Sequence, residues 1–171
     1  MAFCKAYEGI EPTIHPEAML AENATLVGDV EVGSQTTIWY QSVLRGDVGP
    51  IRVGDRTNIQ DGAMLHCSKD LSECHVGHDV VVGHKAILHG CTIKDEVLIG
   101  MGAIILDNAV IESHCIIAAG AVVTQNTRCE SGWLYAGIPA KKIKPVSDDQ
   151  KAGILDSAER YVKEGRKHFG G

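Results

Sequence analysis

The stretch CTIKDEVLIGMGAIILDNAVIESHCIIAAGAVV, residues 91–123, repeats every six residues. Each unit has a small or β-branched residue, a gap of one, an aliphatic residue and a polar or glycine turn. The pairs are Cys91/Ile93, Val97/Ile99, Ala103/Ile105, Ala109/Ile111, Cys115/Ile117 and Ala121/Val123. This period matches neither a helix, at about 3.6 residues, nor strand alternation. It predicts a parallel β-helix, in which three units of short strand and corner form one triangular coil.

The same unit extends upstream to Ala24, with two insertions, one at Gly49-Pro50 and one at residues 68–73. Its earlier pairs are Ala24/Leu26, Val30/Val32, Thr36/Ile38, Ser42/Leu44, Ile51/Val53, Thr57/Ile59, Ala63/Leu65, Cys74/Val76, Val80/Val82 and Ala86/Leu88. A β-sandwich would instead show alternation with period two and hairpin turns. We therefore predict an all-β fold whose aliphatic residues point inward.

The sequence outside the repeat predicts one domain with two parts. Residues 1–146 comprise an irregular N-terminal segment and the β-helix, with residues 134–141 as a connecting loop after the repeat ends at Val123. Residues 147–171 form a C-terminal helix and tail, because Ser147 stands three residues before Gln150 in a capping-box pattern. We expect the helix to end near Gly165 and to pack along the side of the β-helix. Its apolar stripe is Ile154, Leu155, Ala158, Tyr161 and Val162.

Composition narrows the protein class. Hydrophobic residues make up 44% of the 171 residues but aromatic residues only 5%, so aliphatic residues and cysteines must fill the core. The net charge of −6, with no basic cluster before the tail, argues against nucleic acid as a partner. No apolar run reaches the roughly 18 residues of a membrane span, and the N-terminus lacks the apolar region of a signal peptide. The six cysteines form no C-x-x-C pair, which disfavours a cysteine-only zinc site and suggests a reducing cytoplasm.

Two histidines share one column of the predicted coils. His66 follows the inward residue Leu65, and His89 follows Leu88 one coil later. They should therefore be stacked neighbours about 4.8 Å apart, in a column that Arg45 joins one coil earlier.

His84 lies at a different corner. It stands two residues after Val82, one side of the triangle away, at a distance on the order of 15 Å. It can meet His66 and His89 only if a second copy of the chain supplies it, and a cyclic trimer would close three identical sites. Three histidines with an open fourth position are the composition of a catalytic zinc site. The alternative is that each histidine is a solvated turn residue, which is how we interpret His75, His78 and His114; we expect no chemical role for His15 and His168.

Several motifs together resemble the gamma-class carbonic anhydrase family, over nearly the whole chain. The similarity is greatest to its short bacterial branch, often labelled carbonic-anhydrase-like or ferripyochelin-binding-like. The motifs are Leu44-Arg45-Gly46-Asp47, Gly54-Asp55-Arg56-Thr57-Asn58-Ile59-Gln60-Asp61-Gly62, Met64-Leu65-His66, Gly83-His84, His89-Gly90-Cys91 and Leu98-Ile99-Gly100-Met101-Gly102.

The resemblance implies a left-handed β-helix in a homotrimer, with Zn²⁺, or Fe²⁺ or Co²⁺ instead, at each subunit interface. His66 and His89 of one subunit and His84 of its neighbour would be the ligands. The reaction implied is reversible hydration of carbon dioxide to bicarbonate by metal-bound hydroxide.

The resemblance also implies supporting roles. Arg45 would pair with Asp47 or Asp61 to hold the trimer and orient the site, and Gln60 would hydrogen-bond the metal-bound water or bicarbonate. Asn58 would lie near the site. The alternative for Arg45, Asp47 and Asp61 is a purely structural ion-pair network.

The chain departs from the family's best-characterised type in its proton-transfer residues. That type has a glutamate directly after the aspartate that matches Asp47, and another in a long acidic loop. This chain has Val48 and the short loop of residues 67–73. Asp70, Glu73 and Tyr135 are candidate replacements. Cys67, beside His66, would confer redox sensitivity if its thiolate were exposed.

Three alternative functions remain open. Hexapeptide-repeat acyltransferases share the fold and a segment similar to Ala136-Gly137-Ile138-Pro139-Ala140-Lys141, but they use a single histidine as general base with coenzyme A. A thioesterase could act on coenzyme A thioesters with the same metal site. A metal-binding trimer without turnover is the non-enzymatic alternative.

Overall fold

The computed structural model describes residues 2–169, which form a parallel β-helix of about seven turns with one C-terminal helix. Within these residues, one sheet of twelve strands covers two sides of the coil and one of eight strands covers the third. The first sheet contains β1 (Phe3–Lys5), β2 (Thr13–Ile14), β4 (Thr25–Val32), β6 (Val43–Val53), β8 (Met64–His66), β9 (Cys74–Val76), β11 (Ile87–His89), β12 (Thr92–Ile93), β14 (Ile104–Ile105), β15 (Val110–Ile111), β17 (Val122–Val123) and β18 (Arg128–Cys129). The second contains β3 (Met19–Leu20), β5 (Thr37–Ile38), β7 (Asn58–Ile59), β10 (Val81–Val82), β13 (Leu98–Ile99), β16 (Ile116–Ile117), β19 (Trp133–Ala136) and β20 (Lys141–Pro145).

The six-residue register predicted from the sequence is confirmed. Both members of every predicted pair, from Ala24/Leu26 to Ala121/Val123, are at most 4% exposed. Successive coils pair in parallel, so that Leu65, Leu88 and Ile105 stand side by side in one column. The interior is therefore a set of aliphatic columns, and the residues that follow each inward position lie on the outer surface.

The two insertions are accommodated differently. Gly49-Pro50 lies within the continuous strand β6, which pairs with β8 before the insertion and with β9 after it. This long strand, together with β4, joins two sides of the coil into one sheet. Residues 68–73 instead form a loop between β8 and β9, on the side of the coil where His66 ends its strand.

The coils continue beyond the predicted end of the repeat. Strand β18 pairs with β15 and β19 with β16, so Cys129 and Tyr135 take inward positions after Val123. The predicted connecting loop at residues 134–141 is therefore wrong: it contains most of β19, and β20 then returns antiparallel to it. The sequence signal was missed because cysteine and tyrosine replace the aliphatic residue in these last units.

The C-terminal helix α1 (Asp148–Phe169) begins with the predicted capping box. The Gln150 amide donates to Ser147 Oγ at 3.2 Å, and the Ser147 amide donates to Gln150 Oε1 at 3.1 Å. Ile154, Ala158 and Val162 are buried against the second sheet, whereas the predicted stripe residue Leu155 is 41% exposed.

The helix does not end near Gly165 as predicted but continues to Phe169. Gly165 is buried against Thr37 and Met19, where a Cβ atom would lie 2.5 Å from Thr37 Cγ2. The glycine therefore permits close contact with the β-helix rather than ending the helix.

Candidate metal centre

His66 and His89 are stacked as predicted, at the ends of the paired strands β8 and β11. Their ring centroids are 5.3 Å apart, and His66 Nδ1 lies 3.3 Å from His89 Nε2. Two imidazole nitrogens thus face each other across a short gap at the surface of the coil.

The other nitrogen of each ring contacts a carboxylate. His66 Nε2 lies 3.0 Å from Asp47 Oδ1. His89 Nδ1 lies 3.1 and 3.2 Å from the two oxygens of Asp107. In neutral rings these contacts place the protons on His66 Nε2 and His89 Nδ1, so both lone pairs point into the gap.

The width of the gap fits a divalent cation. Two bonds of about 2.0–2.1 Å at a tetrahedral angle separate their nitrogens by roughly 3.3–3.4 Å. The observed separation of 3.3 Å matches this value, and the carboxylates behind the rings are the partners that metal-bound histidines usually have. The donor set therefore fits Zn²⁺, Fe²⁺ or Co²⁺.

Arg45 borders the same gap, one coil before His66. Its Nη1 forms an ion pair with Asp47 Oδ2 at 2.6 Å, and its Nη2 lies 3.4 Å from His66 Nδ1. Burial alone would raise the pKa of Asp47, but hydrogen bonds from Arg45 and His66 and the charge of Arg45 outweigh it and lower that pKa. Asp47 is thus held as an anion between a guanidinium and an imidazole.

His84 lies at another corner, between β10 and β11, where the chain turns through the positive φ of Lys85. Its Nδ1 lies 2.9 Å from Asp61 Oδ2, so this histidine also has a carboxylate partner. Within residues 2–169 of one chain, no group of three or more His, Cys, Asp or Glu side chains is arranged to hold a metal ion. The His66–His89 pair and His84 are therefore separate within one chain, and we call each of them a candidate half-site.

Gln60 belongs to the half-site of His84. It is 6% exposed and lines a cleft of about 270 Å³ together with His84, Arg160 and Tyr161. Tyr161, assigned to the helix stripe from the sequence, thus lines the same cleft as Gln60. The six-residue repeat contains no information on where the helix lies, so the position of Tyr161 beside Gln60 could not be predicted from the repeat.

Asn58 lies on β7 under the helix and is not brought to the paired histidines. Its side-chain amide donates to Thr37 Oγ1 at 2.7 Å, and its Oδ1 is buried with no hydrogen-bond partner among residues 2–169. Asn58 and Gln60 flank the inward residue Ile59, and Asn58 pairs with Val81, which lines the His84 cleft.

Tyr135 does not join either half-site within the chain. Its ring takes an inward position in the last coil, 5% exposed, and its hydroxyl accepts a hydrogen bond from the Glu130 amide at 2.9 Å. Burial is the main cause that raises its pKa. Three strand spacings, about 14 Å, separate it from Val82, the inward residue nearest His84 of the same chain.

Asp107 and Ser72 were missed by the sequence reasoning. Asp107 lies at the corner after β14 and is 4% exposed; Ser72, in the loop of residues 68–73, donates its hydroxyl to Asp107 Oδ1 at 2.5 Å. Leu106, not Asp107, follows the inward Ile105 in the histidine column, so the register alone gave no signal for this carboxylate.

The candidate proton carriers lie on the loop beside the pair. Asp70 is exposed, and Glu73 Oε2 contacts His75 Nε2 at 2.7 Å. Both line a groove of about 570 Å³ with Ser72 and Gly90.

Cys67 does not have the exposed thiolate considered from the sequence. It is 1% exposed, and burial is the main cause that raises the pKa of its thiol to about 12. All six cysteines lie within the described residues and are free thiols.

The remaining histidines have local partners at corners or on the helix. His78 Nδ1 accepts from the Asp55 amide at 2.9 Å, and His114 Nδ1 lies 3.1 Å from Glu96. His168 packs edge-on against Trp39, with ring centroids 5.1 Å apart. The residues that the structure describes contain no helix long and apolar enough to cross a bilayer.

Comparison with known proteins identifies the family. Residues 90–125 match the model of bacterial transferase hexapeptide (six repeats). Protein YrdA of Escherichia coli K12 is 47% identical over 165 residues, 93% of this chain and 90% of that protein. A protein of Geobacillus kaustophilus named carbonic anhydrase is 42% identical, over 94% of this chain and 87% of its own length.

A solved structure shows how widely this fold is shared. A Bacillus cereus protein described as a putative acetyltransferase superposes with a TM-score of 0.95 at 39% identity, over 98% of this chain and 96% of its own. Relatives named gamma carbonic anhydrase, carbonic anhydrase or probable carbonic anhydrase are 41–45% identical over most of the chain. The hexapeptide coils, the stacked histidines and these relatives together show that the chain belongs to the gamma-class carbonic anhydrase family.

Proposed function

We propose that the chain is a gamma-type carbonic anhydrase that acts as a homotrimer in the cytoplasm and depends on Zn²⁺, or on Fe²⁺ or Co²⁺. Its substrates would be carbon dioxide and bicarbonate, and it would need neither nucleic acid nor a membrane. One observation carries the proposal: the facing nitrogens of His66 and His89, 3.3 Å apart, are each backed by a carboxylate on the opposite side of the ring.

The trimer is needed because His84 and the histidine pair lie at different corners of one chain. A threefold arrangement brings the His84 corner of one subunit to the His66–His89 corner of the next, and it closes without leaving an unused half-site. Asp61, 2.9 Å from His84 Nδ1, would orient that ring as Asp47 orients His66.

The bound cation would supply a Lewis acid that lowers the pKa of its water toward about 7. The chain's own residues would orient the reactants and the metal ligands and carry the released proton away. Gln60 and Tyr161 line the His84 cleft, and their amide and hydroxyl groups would hydrogen-bond the reacting water or bicarbonate. Arg45 and Asp47 hold His66, and Asp70 or Glu73 on the adjacent loop would carry the released proton to solvent.

The first test is metal content per chain and native mass of the purified wild type and of His84→Ala. We expect about one metal ion per chain in a wild-type trimer and loss of most metal in His84→Ala, because the third ligand is removed. His114→Ala is the matched control, since it removes another corner histidine with a carboxylate partner. Carbon dioxide hydration would then be assayed with each metal. A metal-free trimer, unchanged in His84→Ala, would contradict the proposal.

Acyl transfer is the second candidate, favoured by the similarity to the putative acetyltransferase structure and by the transferase hexapeptide match. It needs one histidine as base and a coenzyme A site, but no metal. Binding of coenzyme A by metal-free protein would support it. Thioester hydrolysis that requires the metal, or metal binding without turnover, would identify the two remaining alternatives.

A further inference from the structure

Asp107 is a buried carboxylate that reaches His89 from the next coil. We propose that Asp107, held in place by Ser72, is a positioning residue that fixes the tautomer and ring orientation of His89. It thereby sets the affinity of the histidine pair for a divalent cation. The inference rests on the proposed function, because it concerns the metal centre of that function.

The first support is the geometry of the contact. Both oxygens of Asp107 lie within 3.2 Å of His89 Nδ1, so that nitrogen carries the proton and donates it. His89 Nε2 is then left with its lone pair toward His66 Nδ1. If His89 took the other tautomer, its Nε2–H would point into the gap and occupy the position of the cation.

The second support is the way Asp107 itself is held. Ser72 donates to Asp107 Oδ1 at 2.5 Å and receives the Ser68 amide at 3.0 Å, while Gln125 reaches Asp107 Oδ2 at 3.5 Å from the following coil. Gly90 leaves the necessary room, because a Cβ atom there would collide with both Ser72 and Asp107. The loop of residues 68–73 therefore secures the carboxylate from outside the coil.

The third support is charge. Asp47 shares its negative charge between His66 and Arg45, whereas Asp107 forms no ion pair with any Arg or Lys of residues 2–169. Its other side-chain partners are the neutral Ser72, Ser68 and Gln125. The negative charge of Asp107 therefore acts mainly on the His89 ring, which makes His89 Nε2 a stronger electron-pair donor to a cation.

The test compares wild type with Asp107→Ala and Asp107→Asn, and Glu96→Gln is the control. The control removes the charge of a carboxylate 3.1 Å from the corner histidine His114. Zn²⁺ affinity is measured by competition with a chromophoric chelator, and the ligand field by the visible spectrum of the Co²⁺ form. We expect affinity to fall about 10- to 100-fold in Asp107→Ala, with a changed Co²⁺ spectrum.

The Zn²⁺ affinity of Asp107→Asn should lie between those of wild type and Asp107→Ala, roughly three- to tenfold weaker than wild type. The amide oxygen still accepts a hydrogen bond from His89 Nδ1 but lacks the negative charge. Glu96→Gln should bind as wild type does. Native mass and circular dichroism establish that each variant folds, and the near-isosteric Asn variant keeps the test decisive if Asp107→Ala fails to fold.

The test distinguishes a failure of the role proposed for Asp107 from a failure of the proposed function. Unchanged affinity and an unchanged Co²⁺ spectrum in the folded Asp107 variants would overturn the role of Asp107 and leave the metal centre standing. A wild type that binds Zn²⁺ no better than His66→Ala would instead overturn the proposed function.

Discussion

At the scale of single residues, the six-residue register located the histidines but not their supporting groups. His66 and His89 could be predicted to stack because each directly follows an inward leucine, and the strand pairing confirms this. Asp107 could not be predicted, because it reaches the site from a corner rather than from the column. Tyr161 could not either, since its position depends on how the helix lies against the coils.

Thiol reactivity tests the buried state of the cysteines. Five of the six are buried, and burial is the first cause that raises the pKa of Cys67 and Cys129, each to about 12. A raised pKa means less thiolate at every pH below it, about one part in ten thousand at pH 8. We expect iodoacetamide at pH 8 to label at most one thiol per native chain, and none rapidly in Cys4→Ser. Mass spectrometry of the intact protein measures this; rapid labelling of Cys67 would show an accessible thiolate.

At the scale of elements, most strands could be predicted and the last coil could not. The aliphatic residues from Leu26 to Val123 mark the inward positions of successive coils, and all are buried. The final units carry Cys129 and Tyr135 instead, so the pattern faded while the pairing continued. The helix start had a local signal in its capping box; its end did not, because Gly165 serves packing.

Two glycines of the helix form a matched pair for testing that packing. At Gly153 a Cβ atom meets nothing within 4 Å in the described part of the chain, so Gly153→Ala should stabilise the protein by about 0.5–1 kcal/mol through helix propensity. At Gly165 a Cβ atom would press on Thr37, so Gly165→Ala should destabilise it by about 1–3 kcal/mol. Urea unfolding at one subunit concentration compares them. Equal changes of the same sign in the free energy of unfolding of the two variants would mean that the helix does not pack closely at Gly165.

At the scale of the whole molecule, each proposed site combines two corners of different chains. The sequence indicated this because His84 falls one side of the triangle away from the histidine column, and in the structure the three histidines of one chain form no common cluster within residues 2–169. The six-residue register does not indicate which metal the proposed site would bind or how fast it would turn over, because both properties depend on groups outside the repeat.

Mixing two inactive variants tests the shared site. A His84→Ala subunit keeps an intact His66–His89 pair, and a His66→Ala subunit keeps an intact His84. Random trimers refolded from equal amounts should therefore regain about one quarter of the wild-type metal sites. Each site needs a His84→Ala subunit to supply the histidine pair and a His66→Ala neighbour to supply His84, and each of these occurs in about half of the cases. Metal content per trimer and carbon dioxide hydration report the recovery, with each variant refolded alone as the baseline. No recovery in mixed trimers would mean that the three histidines do not meet across an interface.

The loop of residues 68–73 has a consequence for how such proteins can diversify. It leaves the coil after His66 and returns at Cys74, while β8 still pairs with β11 and β9 with β12. Residues can therefore be added or removed there without shifting the register that stacks His66 on His89. Provided that Ser72 still reaches Asp107, the wall of the adjacent groove is open to variation in length and chemistry, so access to the proposed site can evolve without a change in the register of the coils.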